Sequence, residues 1–179
     1  ANKPYLFEHT VPFSAVETGE YLRFKLQATN ERGSTTSYEY LSVLLASVPV
    51  QPTELIEAVE TGVDFLVVQI PLPIDDGGST ILAYELLTDD GLQSSLAPVY
   101  EGLERKQRIE EGIVKGRQYR LMYRVRNSQG WSEYSDMTYI LAADRPSKPP
   151  HSPSLVSVDG TQVTVEIAAC GESNGAPIT

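Results

Sequence analysis

Between Gln118 and Arg126 the side chains alternate without a break. Tyr119, Leu121, Tyr123 and Val125 fall on one side, and Gln118, Arg120, Met122, Arg124 and Arg126 on the other. Only a half-buried strand keeps these two sets apart, because strand side chains point to opposite faces in turn, whereas a helix would mix them. The strand is entered through Gly116 and left through Asn127-Ser128-Gln129-Gly130. Asn and Gly tolerate the left-handed backbone that such a reversal requires. Trp131 to Ser135 then begin a partner strand.

The same pattern occurs a second time. Leu22, Phe24, Leu26 and Ala28 alternate with Arg23, Lys25, Gln27 and Thr29, and Asn30-Glu31-Arg32-Gly33 turns the chain. An offset of 97 positions sets Asn30 on Asn127, Gly33 on Gly130 and Gly19 on Gly116. It also sets Pro49 on Pro146, Pro52 on Pro149, Gly78 on Gly175 and Ile81 on Ile178. Leu66, Val68 and Ile70 fall on Val163, Val165 and Ile167. Coincidences at so many positions define an internal repeat, of a length that suits a β-sandwich of about seven strands. Proline lacks the N–H that a central strand must donate, so SVPVQP at 47–52 and RPSKPPHSP at 145–153 read as short, stiff linkers. They divide the chain into the C-terminal part of one module (1–47), a complete module (48–146) and the N-terminal part of a third (147–179).

Composition narrows the class of function. The hydrophobic share of 41% and charged share of 21% are ordinary for a globular protein. No apolar run approaches the roughly 20 residues of a membrane span. Cys170 is the sole cysteine, so no intrachain disulfide can form. The net charge of -10 opposes nucleic-acid binding, since phosphates would be repelled. Eight of the 14 basic residues nevertheless lie between Arg105 and Arg126.

Strands are expected in the complete module at Glu54–Glu60, Val63–Ile70 and Thr80–Thr88, the last closed by a hairpin turn at Asp89-Asp90-Gly91. Val99–Glu101 and Gln107–Glu111 are weaker segments, and Gln118–Arg126 and Ser135–Ala142 complete the set. The apolar faces of the first, second and fifth strands are expected to pack on those of the third, sixth and seventh.

Ile113, Gly116, Tyr119, Asn127, Gly130 and Ser132 resemble the second half of a fibronectin type III domain, and DDGGSTILAYEL from Asp75 to Leu86 resembles that family's B–C turn and strand C. The resemblance implies an all-β fold of tandem immunoglobulin-like sandwiches, with Tyr119 pinning the crossover between the fifth and sixth strands. Ile113, Gly116, Ile70 and Tyr84 are the accompanying structural positions. Two departures stand out: Ile70 and Ile167 occupy the place of a core tryptophan, and Leu22 replaces the corner tyrosine in the first copy, with Tyr21 one place off.

Trp131-Ser132-Glu133-Tyr134-Ser135 resembles the WSxWS motif of cytokine-receptor modules, in which aromatics stack on arginines of the neighbouring strand. Arg120, Arg124 and Arg126 lie on the face available to Trp131 and Tyr134, and these five residues are the candidate partner-binding set. Asp75-Asp76 and Asp89-Asp90 each precede glycine without the alternating acidic spacing of a calcium loop, so turn chemistry accounts for them. His9 and His151 stand apart, with no nucleophile motif beside either. No catalytic set, metal ligand set or cofactor is expected.

These features point to a non-catalytic structural or adhesive repeat segment of a longer, extended and filament-forming protein at the cell surface or outside it. The alternative location is an intracellular cytoskeletal or ciliary array. Its expected partners are neighbouring modules of the same chain or copies of itself. A ligand-binding module, whose basic outer face meets an acidic protein or a sulfated glycan, is the alternative function, and a spacer within a larger enzyme is a weaker one. Each part-module would by itself leave an apolar sheet face uncovered, which folded proteins avoid, so a longer tandem array is expected.

Overall fold

The computed structural model describes residues 8–12 and 18–179. Among these, all regular structure is β. The first module contributes β1 (Tyr21–Phe24), β2 (Gln27–Asn30), β3 (Gly33–Thr36) and β4 (Leu41–Leu44). The central module contributes β5 (Glu57–Thr61), β6 (Leu66–Gln69), β7 (Ala83–Thr88), β8 (Ala97–Gly102), β9 (Lys106–Ile109), β10 (Gln118–Asn127), β11 (Gly130–Trp131) and β12 (Thr138–Leu141). The third contributes β13 (Ser154–Val158) and β14 (Val163–Glu166).

The central module is a sandwich of two antiparallel sheets. One has the order β5-β6-β9; the other runs β11-β10-β7-β8, with β12 also pairing β10. Between them β6 places Leu66 and Val68 with Ile70 just beyond its end, β7 places Tyr84 and Leu86, and β10 places Tyr119, Leu121, Tyr123 and Val125. Leu66, Val68, Ile70, Leu86, Leu121, Tyr123 and Val125 have no measurable exposure. Each fully buried aliphatic side chain of this size contributes about 1.5–3 kcal/mol, so this interior holds the module together without a disulfide. Ile70 fills its place in the core completely, where the fibronectin-like pattern has tryptophan.

The repeat in the sequence is also a repeat in hydrogen-bond register. Adding 97 to the β1–β4 pairs Tyr21↔Leu44 and Phe24↔Leu41 gives Gln118↔Leu141 and Leu121↔Thr138, which pair between β10 and β12. Asn30↔Gly33 likewise becomes Asn127↔Gly130. The β5–β6 ladder recurs in β13–β14 down to its bulge, which lies between Ala58 and Glu60 in one copy and between Leu155 and Ser157 in the other.

Two expectations need correction. The first-module stretch that alternates like β10 does not form one strand; it divides at Lys25-Leu26 into β1 and β2. In the central module the corresponding Met122 and Tyr123 are held by Leu87 and Leu86 of β7, and β7 has no counterpart among the described residues of the first module. Asp89-Asp90-Gly91 is likewise not a tight hairpin turn. Residues 89–96 form a longer connection between β7 and β8, because Asp89 turns inward to Arg120 before the chain reverses.

Candidate interaction face and module joints

The outer face of β10 carries Arg120, Arg124 and Arg126, and β7, β8 and the connection between them supply a carboxylate for each. Arg120 donates from Nε to Asp89 Oδ2 at 2.7 Å and from its backbone N–H to Asp89 Oδ1 at 3.0 Å, and its Nη2 donates to the Ser94 carbonyl. The Asp89 side chain is fully enclosed. Arg124 donates from Nε to Glu85 Oε2 at 2.6 Å, and the same oxygen accepts the Tyr134 hydroxyl at 2.7 Å. Arg126 lies 3.3 Å from Glu101.

Two rings complete the arrangement. The Arg124 guanidinium sits 4.6 Å from the centre of Trp131 and 4.6 Å from that of Tyr134, while Arg126 lies 4.9 Å from Trp131. A planar guanidinium suits this packing, since it attracts the ring faces and can still donate in its plane to Glu85. Arg120 does not stack, contrary to the sequence expectation. Its partner is the Asp89 carboxylate, which the β7–β8 connection delivers to it.

The electrostatics follow from these contacts. Burial works to raise the Glu85 carboxyl, but Arg124 and Tyr134 together hold it below the usual range. Burial likewise opposes ionisation of Asp89, and the Arg120 backbone and side-chain donors outweigh it, so Asp89 is also held low. Arg124 is raised, first through its bond to Glu85. Burial and the bond to Glu85 raise Tyr134. Each of the three arginines thus faces a carboxylate. The sequence reading missed Glu85, Asp89 and Glu101; alternation in β7, where Tyr84 and Leu86 point inward, places Glu85 on the outer side.

The structural residues occupy the opposite side of this sheet and its edges. Tyr119 is 1% exposed; its hydroxyl donates to the Gly112 carbonyl at 2.9 Å and accepts the Val114 N–H at 2.8 Å, which ties the β9–β10 crossover to β10. Ile113 and Tyr84 are buried in the same core as Ile70. Burial raises the Tyr84 hydroxyl above its ordinary value. Gly116 adopts φ +81° at the start of β10, and its N–H donates to the Ala142 carbonyl at 2.8 Å.

Asn127 does more than turn the chain. Its Oδ1 accepts the N–H groups of Gln129 at 2.8 Å and Gly130 at 3.3 Å. Its Nδ2 donates to the carbonyls of Ser47 and Asp76, each at 2.7 Å. This buried amide thus fastens three segments: the β10–β11 turn, the linker from the first module, and the β6–β7 loop. Ser47 N–H donates to Gly77 O at 2.9 Å and Val50 N–H to Asp75 O at 3.3 Å, so linker and loop also bond directly. Gln51 Nε2 adds a bond to the Tyr134 carbonyl at 2.8 Å.

The acidic pairs act as turn residues. Asp75 and Asp76 accept the N–H groups of Gly77 and Gly78, and Asp89 and Asp90 accept those of Gly91 and Leu92. Among the described residues no cluster of His, Cys, Asp or Glu could hold a metal ion, and no helix is long and apolar enough to cross a membrane.

No family model matches the sequence. Among solved structures the chain is similar to domains A168–A170 from titin, with 19% identity and a TM-score of 0.56, covering 71% of this chain and 42% of that one. It is also similar to the chicken CNTN1 FN1–FN3 domains, with 17% identity and a TM-score of 0.53, covering 87% of this chain and 54% of that one. The chain thus spans about half the length of these structures, or less. The likeness is one of fold: tandem β-sandwiches of the fibronectin type III type.

Proposed function

We propose that this chain is a non-catalytic spacing segment of an extended tandem-repeat protein, its modules serving to hold their neighbours in line. The recurrence of strand registers at one offset carries this reading, because a protein built for a single site has no need to rebuild the same scaffold along its length. The outer modules support it further. Leu66, Val68 and Ile70 are completely buried, whereas their counterparts Val163, Val165 and Ile167 are 62%, 48% and 74% exposed. These apolar faces are what a facing sheet of the same polypeptide would cover, as β7 and β10 cover β6 in the central module.

The arginine face speaks against a glycan- or acid-binding role. A sulfate would have to compete with a carboxylate already facing each arginine: Asp89 against Arg120, Glu85 against Arg124 and Glu101 against Arg126. Their work is to stiffen the sheet, and the partners of the chain are its own neighbouring modules. Small-angle scattering tests the proposal. A rod one sandwich wide, together with no retention on a heparin matrix near physiological salt, is the expected result. A compact particle, or salt-sensitive heparin binding lost on Arg124→Gln, would overturn it.

A further inference from the structure

The two joints of this chain are the same joint. At the first, Ser47 N–H donates to Gly77 O and Val50 N–H to Asp75 O; at the second, Asp144 N–H donates to Asn174 O at 3.0 Å and Ser147 N–H to Glu172 O at 2.9 Å. Each residue of the second set lies 97 positions after its counterpart in the first. The strand ends that frame the joints also correspond: Gly19 N–H donates to Leu45 O, and Gly116 N–H to Ala142 O, both at 2.8 Å.

The closest approach in both joints is glycine against glycine. A Cβ on Gly78 would lie 2.2 Å from Gly19 N, and one on Gly175 would lie 2.7 Å from both Gly116 N and Ala142 O. Left-handed backbone precedes and includes each loop glycine: Gly77 has φ 72° and Gly78 φ 78°, while Asn174 has φ 51° and Gly175 φ 95°. Asparagine is the residue that most readily substitutes for glycine in that region.

Meanwhile the side chains around this backbone have changed. Ser47 is replaced by Asp144, Val50 by Ser147 and Asp75 by Glu172. On the outer sheet face Gln27 and Ser34 stand where the central module has Arg124 and Trp131. Side chains vary, but the backbone bonds and the glycine contact persist.

We infer that each module carries a two-sided coupling whose partner is the next module of the same chain: the exit strand with Gly19 or Gly116 on one end, and the Asp75–Gly78 type of loop on the other. The central module displays both halves. A joint closed by backbone bonds and sub-van der Waals room for a side chain has one geometry, so successive modules are related by a constant rotation and step. This rests on the spacing function proposed above and adds that the spacer is stiff at its joints.

Amide hydrogen exchange on the whole chain tests it. The N–H groups of Ser47, Val50, Asp144 and Ser147 should exchange at least about tenfold more slowly than unstructured chain. Gly175→Ala should remove that protection from Asp144 and Ser147, and Gly78→Ala from Ser47 and Val50, while amides of Leu121, Tyr123 and Val125 stay protected and report an intact central core. Gly112→Ala is the control: Gly112 has φ +76° with nothing within 4 Å of the added Cβ, so it imposes the same backbone strain away from any joint. Unprotected linker amides in the unaltered chain, retained protection in both Gly78→Ala and Gly175→Ala, or equal loss in Gly112→Ala would each overturn the inference. Free linker amides in a particle that still scatters as a rod would reject the stiff joint alone, whereas a compact particle would reject the spacing function.

Discussion

Tyr119→Phe removes one oxygen from an otherwise unchanged core. The ring is 1% exposed and stays in place, so the packing contribution is retained. Two hydrogen bonds are lost, one to the Gly112 carbonyl and one from the Val114 N–H. A typical intramolecular hydrogen bond contributes about 0.5–1.5 kcal/mol net, and a partner left buried and unpaired would add a further desolvation cost. Gly112 and Val114 lie in exposed loop backbone, where water can replace the hydroxyl, so that second cost does not apply. The expected loss is therefore about 1–3 kcal/mol, each kcal/mol corresponding to about 4–8 °C in Tm for a domain of this size. Trp131 is the only tryptophan of the chain and lies in the central module, so its fluorescence during urea unfolding follows that module separately from its neighbours. A change below about 0.3 kcal/mol would show that the hydroxyl does not pin the crossover. A loss above about 3 kcal/mol would show that the substitution had disturbed the core itself.

Leu121→Ala should cost about 2–5 kcal/mol because Leu121 is wholly buried, whereas Trp131→Ala should cost less, since Trp131 is partly exposed and packs on arginines; far-UV circular dichroism during urea unfolding ranks the two, and the reverse order would refute the outer-face placement. Asp89→Asn should destabilise by about 2–3 kcal/mol through loss of a charge-assisted bond to Arg120 inside an enclosed site, measured as a shift in urea midpoint, and a shift no larger than that of Glu110→Gln on the exposed Arg108 pair would count against it. Glu85 and Asp89 are held below their ordinary values of 4.5 and 3.8, so in acid the unfolded chain takes up protons before the folded one does. Their stabilisation is full above about pH 5 and lost as pH falls through the acid range below 4; a urea midpoint that stays constant from about pH 7 to about pH 3 would contradict this.

What could be seen in the sequence depended on how local the cause was. The buried face of β10 was visible because Tyr119, Leu121, Tyr123 and Val125 announce it by strict alternation within one strand. The fold was visible because Asn30/Asn127 and Gly19/Gly116 mark the same turn and strand entry in two copies. The carboxylate partners of the arginine row were not, since Arg124 meets Glu85 only through a register between strands 39 positions apart. Nor was the joint. The bonds that the two joints share run between backbone groups, which leave no side-chain signature beyond a glycine, and at Asn174 not even that residue is kept. The division of β1 from β2 was hidden for the converse reason, because alternation tells which side a residue faces but not whether a neighbouring strand is there to hold it.

If successive modules are joined at one fixed angle, corresponding points on two of them lie at one fixed distance. Glu57 in β5 and Ser154 in β13 are both exposed and occupy equivalent places in matching ladders. Spin labels on cysteines at these two positions, with Cys170→Ser to remove the native thiol, would report that distance by pulsed electron resonance. A single narrow distribution that broadens on Gly175→Ala is the predicted result. A broad distribution in the chain with Gly175 intact, unchanged by the substitution, would contradict the account.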